Sequence, residues 1–368
     1  MHGAPRRNGR FGYSAIGDMN AQVAACRTGE ARFAAILDRF GYETYEAARE
    51  EIYRQSEALE RAAVAAIPDG TYTAEGALDD DGRGHGPLPV KVRIDVAGDA
   101  MTIDLDGSAP MTEGPINGGL PQAISAVRVA FKLVIHPERP VDGGTFRTLT
   151  VNVPPRTIFS AEEPAACQWY FTPCGLLIDL IVKALSPALR EECAAAHYGD
   201  SMVVYLSGLD PRRDDARFLM NAPHPGGWGA FEGGDGESGL INNVNGSLKD
   251  LPIEVMETKY PMRMTHYGYR ADSGGHGRFR GGNGVVREYT LDGPWAQLSL
   301  WFERSRTPGW GLFGGADATP PEVVINPGRE DERRQLKASR MPLVAGDVIR
   351  TMTGGGGGFG DPRERDPA

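Results

Sequence analysis

The glycines of this chain occur in clusters, and the clusters restrict its fold more than any other feature. Glycine accounts for 49 of 368 residues, nearly twice the average share of roughly 7 %. The densest stretches are residues 270–287, with six glycines and four arginines, and residues 353–362, with six glycines. Neither has the three-residue period of collagen. They predict ordered tight turns and close backbone approaches, not a flexible linker.

The composition is typical of a globular protein and disfavours two classes of partner. Hydrophobic residues make up 40 % of the chain, enough for a sizeable core. A net charge of −10 repels phosphate backbones, so we expect no nucleic-acid partner. The longest apolar run, residues 175–185, contains Asp179 and Lys183 and is too short to span a bilayer.

Targeting and cysteine patterns predict a cytoplasmic protein. Residues 1–10 are basic, but no apolar segment follows them as it would in a secretory signal. Four cysteines in a chain of this length, without a C-x-x-C pair, do not form a disulfide framework.

Hydrophobic periodicity predicts two helices at the start of the chain. Asp18 is expected to cap the first, whose apolar side runs from Val23 to Phe40, and Gly41 to end it. In the second helix, apolar residues recur every seven positions from Tyr45 to Ala66. The pair predicts an N-terminal helical hairpin.

The remaining pattern predicts an α+β fold. Residues 90–106 read as a β-hairpin, 119–136 as a helix and 173–195 as one or two helices, bent near Pro187. Short strands separated by Gly/Pro-rich loops follow from about residue 200. We therefore expect the helical hairpin, then mostly antiparallel sheets with Gly-rich loops. The expected division is an unmatched segment 1–15, a helix-rich part 16–200 and a β-rich part 201–368.

Common catalytic and metal-binding motifs are missing from the sequence. It has no Gly-Lys dipeptide for a phosphate-binding loop, no G-x-S-x-G and no H-E-x-x-H. The aspartates of residues 79–81 and 104–106 are each followed directly by a glycine, and such Asp-Gly pairs are typical of turns. His197, Asp200 and His224 are candidate metal ligands, but a site needs three or four convergent groups.

The stretch 270–287 leaves two readings open. Its backbone N–H groups and guanidiniums could hold an anionic intermediate. The same residues could instead brace two sheets, with Asp272 paired to an arginine.

Five segments together resemble the hydantoinase B/oxoprolinase family. They occur in the family's order and extend the resemblance from Ile16 to Pro362. The segments are Gly17–Glu30, Gly114–Gly118, Pro252–Pro261, Asp272–Arg287 and Gly354–Pro362.

The resemblance implies a component of a multi-subunit, ATP-dependent enzyme. Members include N-methylhydantoinases and 5-oxoprolinases, which open cyclic amides, and acetone and acetophenone carboxylases. A hydantoinase A-type partner holds ATP and phosphorylates the carbonyl oxygen of a small-molecule substrate. The B-type component then processes this intermediate, usually at a divalent metal. We therefore expect an ATP-dependent hydrolase acting on cyclic amides; the alternatives are a carboxylase component or an inactive scaffold.

The family's metal-ligand patterns, N-D-P-Y…G-T-H-x-x-D and H-H-x-D, do not occur here. The chain resembles only the C-terminal two-thirds of a B-type member. We therefore expect either that another polypeptide supplies the remaining part or that the reading frame is truncated. No metal ligand carries over, and the isolated chain is expected to be inactive. The positions that match the family, as residues that support the site or bind the intermediate, are Asp18, Gln22, Arg27, Asp272, Arg278, Arg280 and Arg287.

Overall fold

The computed structural model describes residues 13–246 and 248–366. Contacts between Cα atoms divide the chain into two compact units. One runs through Leu59 and includes Pro140–Arg147, and the other comprises Glu60–Arg139 and the chain from Thr148 onward. These two units do not test the predicted division of the chain at residue 200, which stays a prediction.

The predicted helical hairpin is confirmed, although its first helix begins earlier than expected. Helix α1 spans Tyr13–Phe40 and α2 spans Tyr42–Ala65. Gly41 separates them with a φ of +79°, and its N–H bonds the Leu37 carbonyl, as in a glycine-terminated helix. The prediction that Asp18 caps α1 is wrong, because Tyr13–Gly17 already adopt helical conformation.

The apolar side of α1 is largely exposed. The Phe33 ring packs edge-on against Tyr45 of α2 at 5.1 Å between centroids. Val23, Ile36 and Phe40 nevertheless stay about half exposed. The periodicity therefore correctly predicted the apolar face of α1, but the other described residues leave most of this face exposed.

A four-stranded sheet with two helices forms the first part of the second unit. The strand order is β1-β2-β3-β4, antiparallel except for the parallel pair β3–β4. Helix α4 packs on β1 and β2, and α3 packs on α4. The elements are β1 Gly70–Leu78, β2 Leu88–Ala97, β3 Ala100–Asp104, α3 Leu120–Val134, β4 Leu149–Asn152 and α4 Phe171–Leu185.

Two predictions for this part have opposite outcomes. The hairpin at 90–106 is confirmed, with alternate residues from Val90 to Val96 buried. The prediction that helix continues to residue 195 is wrong, because α4 ends at Leu185. Ser186 there donates its hydroxyl to the Lys183 carbonyl, and Pro187 has no N–H to continue the helix.

Two further antiparallel sheets share one hydrophobic core. The orders are β11-β10-β13-β8-β7 and β12-β9-β5-β6. Leu206 and Leu298 from one sheet and Tyr289 and Ile325 from the other belong to the same buried cluster. The elements are β5 Val203–Asp210, β6 Ala216–Ala222, α5 Ile253–Lys259, β7 Met262–Tyr269, β8 Val285–Leu291, β9 Trp295–Trp301, β10 Glu322–Ile325, β11 Arg333–Arg334, β12 Lys337–Val344 and β13 Val348–Met352. These sheets confirm the α+β class.

The glycine clusters mark close backbone packing, as expected. A Cβ on Gly281 would lie 1.8 Å from the carbonyl oxygen of Gly356, and one on Gly356 would lie 1.9 Å from that of Trp228. The N–H of Gly282 donates to the Trp228 carbonyl, and that of Gly356 donates to Gly282. Segments 226–237, 274–284 and 354–360 thus pack backbone to backbone, which only glycine permits.

Among the described residues, no helix combines the length and apolar character needed to cross a bilayer.

Candidate functional site

A pocket of about 350 Å³ lies between α3, α4 and the loop that carries Asn243. This volume is at the lower end of the roughly 300–1,000 Å³ that ligand sites occupy. Its walls are mainly apolar, formed by Ala126, Val129, Phe171, Ile178 and Val244. A cavity of this size and lining suits a small molecule with an apolar body.

The polar groups of the pocket are neutral. The described residues that line it include Gln122, Ser125, Tyr170 and Asn243, and none of them is charged. Pro121 and Pro173 lie in the first turns of α3 and α4, where they remove N–H donors. Both helix starts therefore offer less to a phosphate than an ordinary helix N-terminus does.

Cys174 lines the pocket but is not an activated nucleophile. Burial raises the pKa of its thiol to about 12, so the thiolate that attacks carbonyl carbon is scarce near neutral pH. Its Sγ lies 3.7 Å from the Gln122 carbonyl oxygen.

A buried polar cluster adjoins the pocket at Asn243. Nδ1 of His197 lies 2.8 Å from Oδ1 of Asp179, and Nη1 of Arg304 lies 3.2 Å from Oδ2 of the same carboxylate. All three side chains are less than a tenth exposed. The charge of Arg304 stabilises the buried carboxylate, and the carboxylate in turn orients the imidazole.

Asn243 connects this cluster to the pocket. Its Nδ2 lies 3.4 Å from Asp179 Oδ1, and its backbone N–H points to His197 Nε2 at 3.5 Å. The carboxylate can only accept, so it fixes which end of the amide faces inward. The other end, Oδ1, is buried without a hydrogen-bond partner among the described residues.

A second buried cluster lies between β1, β9 and β12. Glu303 is fully buried, its carboxylate contacts Lys337, and it accepts the backbone N–H of Asp79. Burial, with the negative charge of Asp79 adding to it, raises the pKa of Glu303 to about 8. Nearby, burial raises the pKa of Asp200 to about 6, although Thr172 donates a hydrogen bond to it at 2.9 Å.

The candidate metal ligands do not form a metal site. Within residues 13–246 and 248–366, no group of three or more His, Cys, Asp and Glu side chains could hold an ion. His197 is paired with Asp179, and both ring nitrogens of His224 have partners, the Ala222 carbonyl at 2.9 Å and the Tyr289 hydroxyl at 3.1 Å. Burial lowers the pKa of His224 well below its usual value. The described residues therefore do not fit a divalent metal.

Three of the predicted site residues lie together on α1. Asp18, Gln22 and Arg27 are all exposed. Gln22 and Arg27 line a shallow groove of about 380 Å³ on the surface of this helix. They are open to a partner molecule, and their role in a site stays a prediction.

The other four predicted residues have two different environments. Asp272, Arg278 and Arg280 are exposed in the glycine-rich loop, where Arg278 lies 3.4 Å from Glu232. No described residue forms an ion pair with Asp272, so the pairing with an arginine that the bracing reading included is not observed. Arg287 lies in β8, is fully buried, and contacts Asp250 and, at 3.0 Å, the Tyr267 hydroxyl.

Most backbone N–H groups of the glycine-rich loop already have partners. Gly274 donates to Asn283, Gly275 to Gly356 and Gly284 to Ser273. This geometry favours the bracing interpretation of 270–287. Sequence reasoning missed Asn243, Glu303 and Lys337; for Asp179, the signal was a carboxylate inside an apolar run.

A family model described as hydantoinase B/oxoprolinase matches residues 4–362. The chain belongs to the hydantoinase B/oxoprolinase family. This agrees with the resemblance of the five sequence segments and with their order along the chain.

Relatives of this family member are longer than the chain itself. A protein of Pseudomonas sp. (strain NS671), named as the B-type component of a "Putative D-/L-hydantoinase", is 30 % identical over 96 % of this chain and 61 % of its own length. The crystal structure of the ATP-dependent caprolactamase from Pseudomonas jessenii matches with a TM-score of 0.86 at 28 % identity, covering 96 % of this chain and 62 % of that one.

An acetone carboxylase has the same fold as this family member. Its nucleotide-free structure matches with a TM-score of 0.84, covering 97 % of this chain and 54 % of that one. The identity is 18 %, so the match shows the fold alone. The chain thus spans about three fifths of its relatives, or less.

Proposed function

We propose that this chain is part of the B-type component of an ATP-dependent enzyme that opens cyclic amides. The observation that carries the proposal is the match to an ATP-dependent caprolactamase over nearly the whole chain. The name of the hydantoinase relative supports the B-type assignment. The small, uncharged pocket supports a neutral cyclic amide as substrate, since it offers an apolar wall with a few hydrogen-bonding groups.

The proposal assigns ATP to a separate A-type partner. That partner would phosphorylate the carbonyl oxygen of the cyclic amide. Five of the six glycine N–H groups between residues 274 and 284 bond the backbone and side chains of this chain, and both pocket helices begin with prolines in their first turns. The described residues therefore offer poor binding for a nucleotide phosphate.

The divalent metal expected for the complete enzyme would also be held elsewhere. The described residues lack a ligand group, so the proposal places the ligands on a polypeptide region that completes the B-type component. The metal would supply an activated water or polarise the carbonyl. The role of this chain is then to bind and orient the ring, and to exclude water from its apolar face.

The predicted site residues take different roles in this proposal. The exposed Asp18, Gln22, Arg27, Asp272, Arg278 and Arg280 are accessible to an intermediate or to a partner protein. Arg287 is a bracing residue, since its guanidinium is buried against Asp250 and Tyr267. The cytoplasmic location stays a prediction.

The carboxylase alternative has less support. Its structural relative is 18 % identical, which is evidence of fold and not of substrate. The inactive-scaffold alternative rests on the missing ligand patterns. A carboxylase, unlike the hydrolase, would require bicarbonate for turnover. An inactive scaffold would show no turnover.

The test is an assay of the assembled complex. This chain is co-expressed with an A-type partner and the remaining B-type region, and ring-opened product and ADP are measured with a lactam or a hydantoin. We expect product only with ATP, equally with and without bicarbonate, and none from this chain alone. A bicarbonate requirement would establish the carboxylase, and a stable complex without turnover would establish the scaffold. Ring opening by the isolated chain would refute the proposal.

A further inference from the structure

Helix α1 carries a row of side chains with the spacing of a coiled coil. From Ile16 to Phe40, the positions of this row recur at alternating intervals of three and four residues. Such spacing over about three and a half heptads is typical of a helix that packs along a second helix. We call this row the α1 seam; its members are Ile16, Met19, Val23, Cys26, Glu30, Phe33, Leu37 and Phe40.

The described residues leave the α1 seam largely uncovered. Met19, Val23, Phe33 and Phe40 are each between 43 and 51 % exposed, and Cys26 is exposed as well. The seam is about 36 Å long at the rise of an α-helix. Monomeric proteins rarely present so large an apolar surface to water, and such surfaces mark sites of protein association.

The two halves of the α1 seam differ in the size of their side chains. The first half forms a shallow groove of about 380 Å³, whose lining includes Met19, Val23 and Cys26. The second half carries the phenyl rings of Phe33 and Phe40. In a coiled coil, the side chains of one helix insert into holes between those of the other. The second half of one seam therefore complements the first half of another.

An antiparallel arrangement brings these complementary halves together. The seam positions are symmetric about their midpoint, so a second α1 in the opposite direction sets Phe33 against Val23 and Phe40 against Ile16. A parallel pair in register would set each phenyl ring against its own copy. It would also set Glu30 against Glu30, a contact between like charges within the seam. Size and charge both favour the antiparallel pair.

Two unpaired charges provide a second, independent complementarity. Arg27 and Glu30 both line the groove, and neither forms an ion pair with a described residue. In the antiparallel pair, Cys26 faces Glu30 of the other copy, and Arg27 is the next residue along the helix. Arg27 of each copy is thus placed to pair with Glu30 of the other, and the two-fold symmetry forms this contact twice.

We propose that α1 is an interaction surface for a second copy of this chain, in which the two α1 helices form an antiparallel coiled coil and Phe33 and Phe40 of each copy fill the first half of the other seam. This inference goes beyond the proposed function and does not depend on it. It adds a self-association of the chain that neither ATP nor a substrate requires.

Sedimentation equilibrium of the full chain tests the pairing, and we expect a dimer. Val23→Asp places a charge in the seam and should raise the dimer Kd at least about tenfold. Ala21→Asp places the same charge on the opposite, exposed side of α1 and should leave the Kd unchanged. Circular dichroism confirms that both variants are folded. A wild-type chain that is still monomeric at about 100 μM, or equal Kd values for the two variants, would overturn the proposal.

Exchanging the two unpaired charges tests the alignment of the helices. Arg27→Glu sets glutamates against each other in both symmetric contacts and should raise the dimer Kd about fivefold or more. The double variant Arg27→Glu/Glu30→Arg restores opposite charges and should return the Kd to within about twofold of wild type. A double variant as weak as Arg27→Glu would contradict the contact between these residues.

The distance between two spin labels determines the direction of the helices. Arg39→Cys carries the label, and Cys26→Ser and Cys167→Ser remove the other exposed thiols. Antiparallel pairing sets Arg39 opposite Gly17 of the other copy, so the labels are separated by about 33 Å along the helices. A parallel pair in register would bring them within about 20 Å, since packed helices lie 8–10 Å apart. The shorter distance would overturn the antiparallel pair.

The assembled complex separates this inference from other occupants of the seam and from the proposed function. If Val23→Asp leaves the chain dimeric but prevents binding of the remaining B-type region or the A-type partner, the seam belongs to that polypeptide and the inference fails. A dimer disrupted by Val23→Asp, together with a complex that does not open cyclic amides, would support the seam and refute the function.

Discussion

Nδ1 of His197 lies 2.8 Å from the carboxylate of Asp179, in a fully enclosed pair next to the pocket. The backbone N–H of Asn243 points to the other ring nitrogen, Nε2. Nε2 therefore accepts and Nδ1 carries the proton, so the imidazole is oriented from both sides. The pair is a rigid support for Asn243 and leaves no ring nitrogen for a metal.

Asp179 should contribute strongly to stability. Asp179→Asn keeps the shape of the side chain but leaves Arg304 buried without a counter-charge. We expect the free energy of unfolding, measured in urea, to fall by about 3–5 kcal/mol. Asp292→Asn is the control, because its pair with Arg263 at 2.9 Å is largely exposed and should change stability by less than about 1 kcal/mol. Equal effects would contradict the role of burial.

Asp200 should make the protein less stable as pH rises from about 4 to about 6. Its pKa in the folded state is about 6, against an ordinary value of 3.8, because it is buried. The folded state then binds the proton more tightly than the unfolded state, so its contribution declines through this range and is constant above it. The change is on the order of 3 kcal/mol. Unfolding of the wild type and of Asp200→Asn at several pH values measures it.

Asp210→Asn is the control of opposite sign. A hydrogen bond from Arg212 lowers the pKa of Asp210. The stability that this carboxylate contributes is present above its unfolded pKa and is lost as the pH falls. The advantage of wild type over variant should thus shrink with rising pH for Asp200 and grow for Asp210. The same trend in both would refute the assignment.

Lys337 should be needed mainly to compensate Glu303. Lys337→Met removes the cation that contacts the buried carboxyl group of Glu303. Because the pKa of about 8 keeps that carboxyl largely protonated near neutral pH, we expect a loss of about 1–3 kcal/mol in the free energy of unfolding, the cost of an unpaired buried polar group. The double variant Lys337→Met/Glu303→Gln should recover part of it. Lys91→Met is the control, since Lys91 is half exposed and 3.9 Å from Glu75. A double variant no more stable than Lys337→Met would argue against pairing.

Gly281→Ala should prevent stable folding. The new Cβ would lie 1.8 Å from the Gly356 carbonyl, where neither backbone can move without breaking its hydrogen bonds. A loss of more than about 4 kcal/mol is expected, seen as insolubility or a collapsed melting temperature. Gly70→Ala, with open space around its Cβ, should stay within about 0.5 kcal/mol of wild type. A well-folded Gly281→Ala protein would show that the backbone contact is wrong.

Arg287 and Arg278 should behave differently although both match the family's arginines. Arg287→Met removes a buried guanidinium that contacts the exposed Asp250 and donates to the Tyr267 hydroxyl, and the loss of these hydrogen bonds should cost about 1.5–3 kcal/mol in unfolding free energy. Arg278→Met changes an exposed side chain and should stay within about 1 kcal/mol. Because the Arg278 variant remains folded, its turnover in the assembled complex reports on a role in the site. Similar stability losses in the two variants would contradict this distinction.

Sequence periodicity predicted elements wherever burial alternates locally. The β2–β3 hairpin was recognised, because alternate residues of each strand face a core. The start of α1 was misplaced, since Asp18 has the chemistry of a cap, whereas Tyr13–Gly17 are helical despite the low helix propensity of Gly17. The glycine-rich segments were correctly predicted to pack closely. Their sequences did not identify which backbone segment each one contacts.

The candidate site depended on residues far apart in sequence. Asn243 and Asp179 are 64 positions apart. Glu303 follows β9 and Lys337 begins the neighbouring strand β12, with Asp79 more than 200 positions away from both. No local pattern marks such encounters. Asp179 was visible only as an interruption of an apolar run.

By itself the sequence determined the α+β class, the family and the close backbone packing of the glycine-rich segments. The class depends on short-range hydrophobic periodicity, and the close packing depends on glycine having no side chain. Only the tertiary structure decided that Arg287 is a buried brace while Arg278 and Arg280 are exposed. It also decided that no described residue donates to the buried side-chain oxygen of Asn243. Burial and hydrogen-bond partnership are properties of three-dimensional neighbours, and distant segments supply those neighbours.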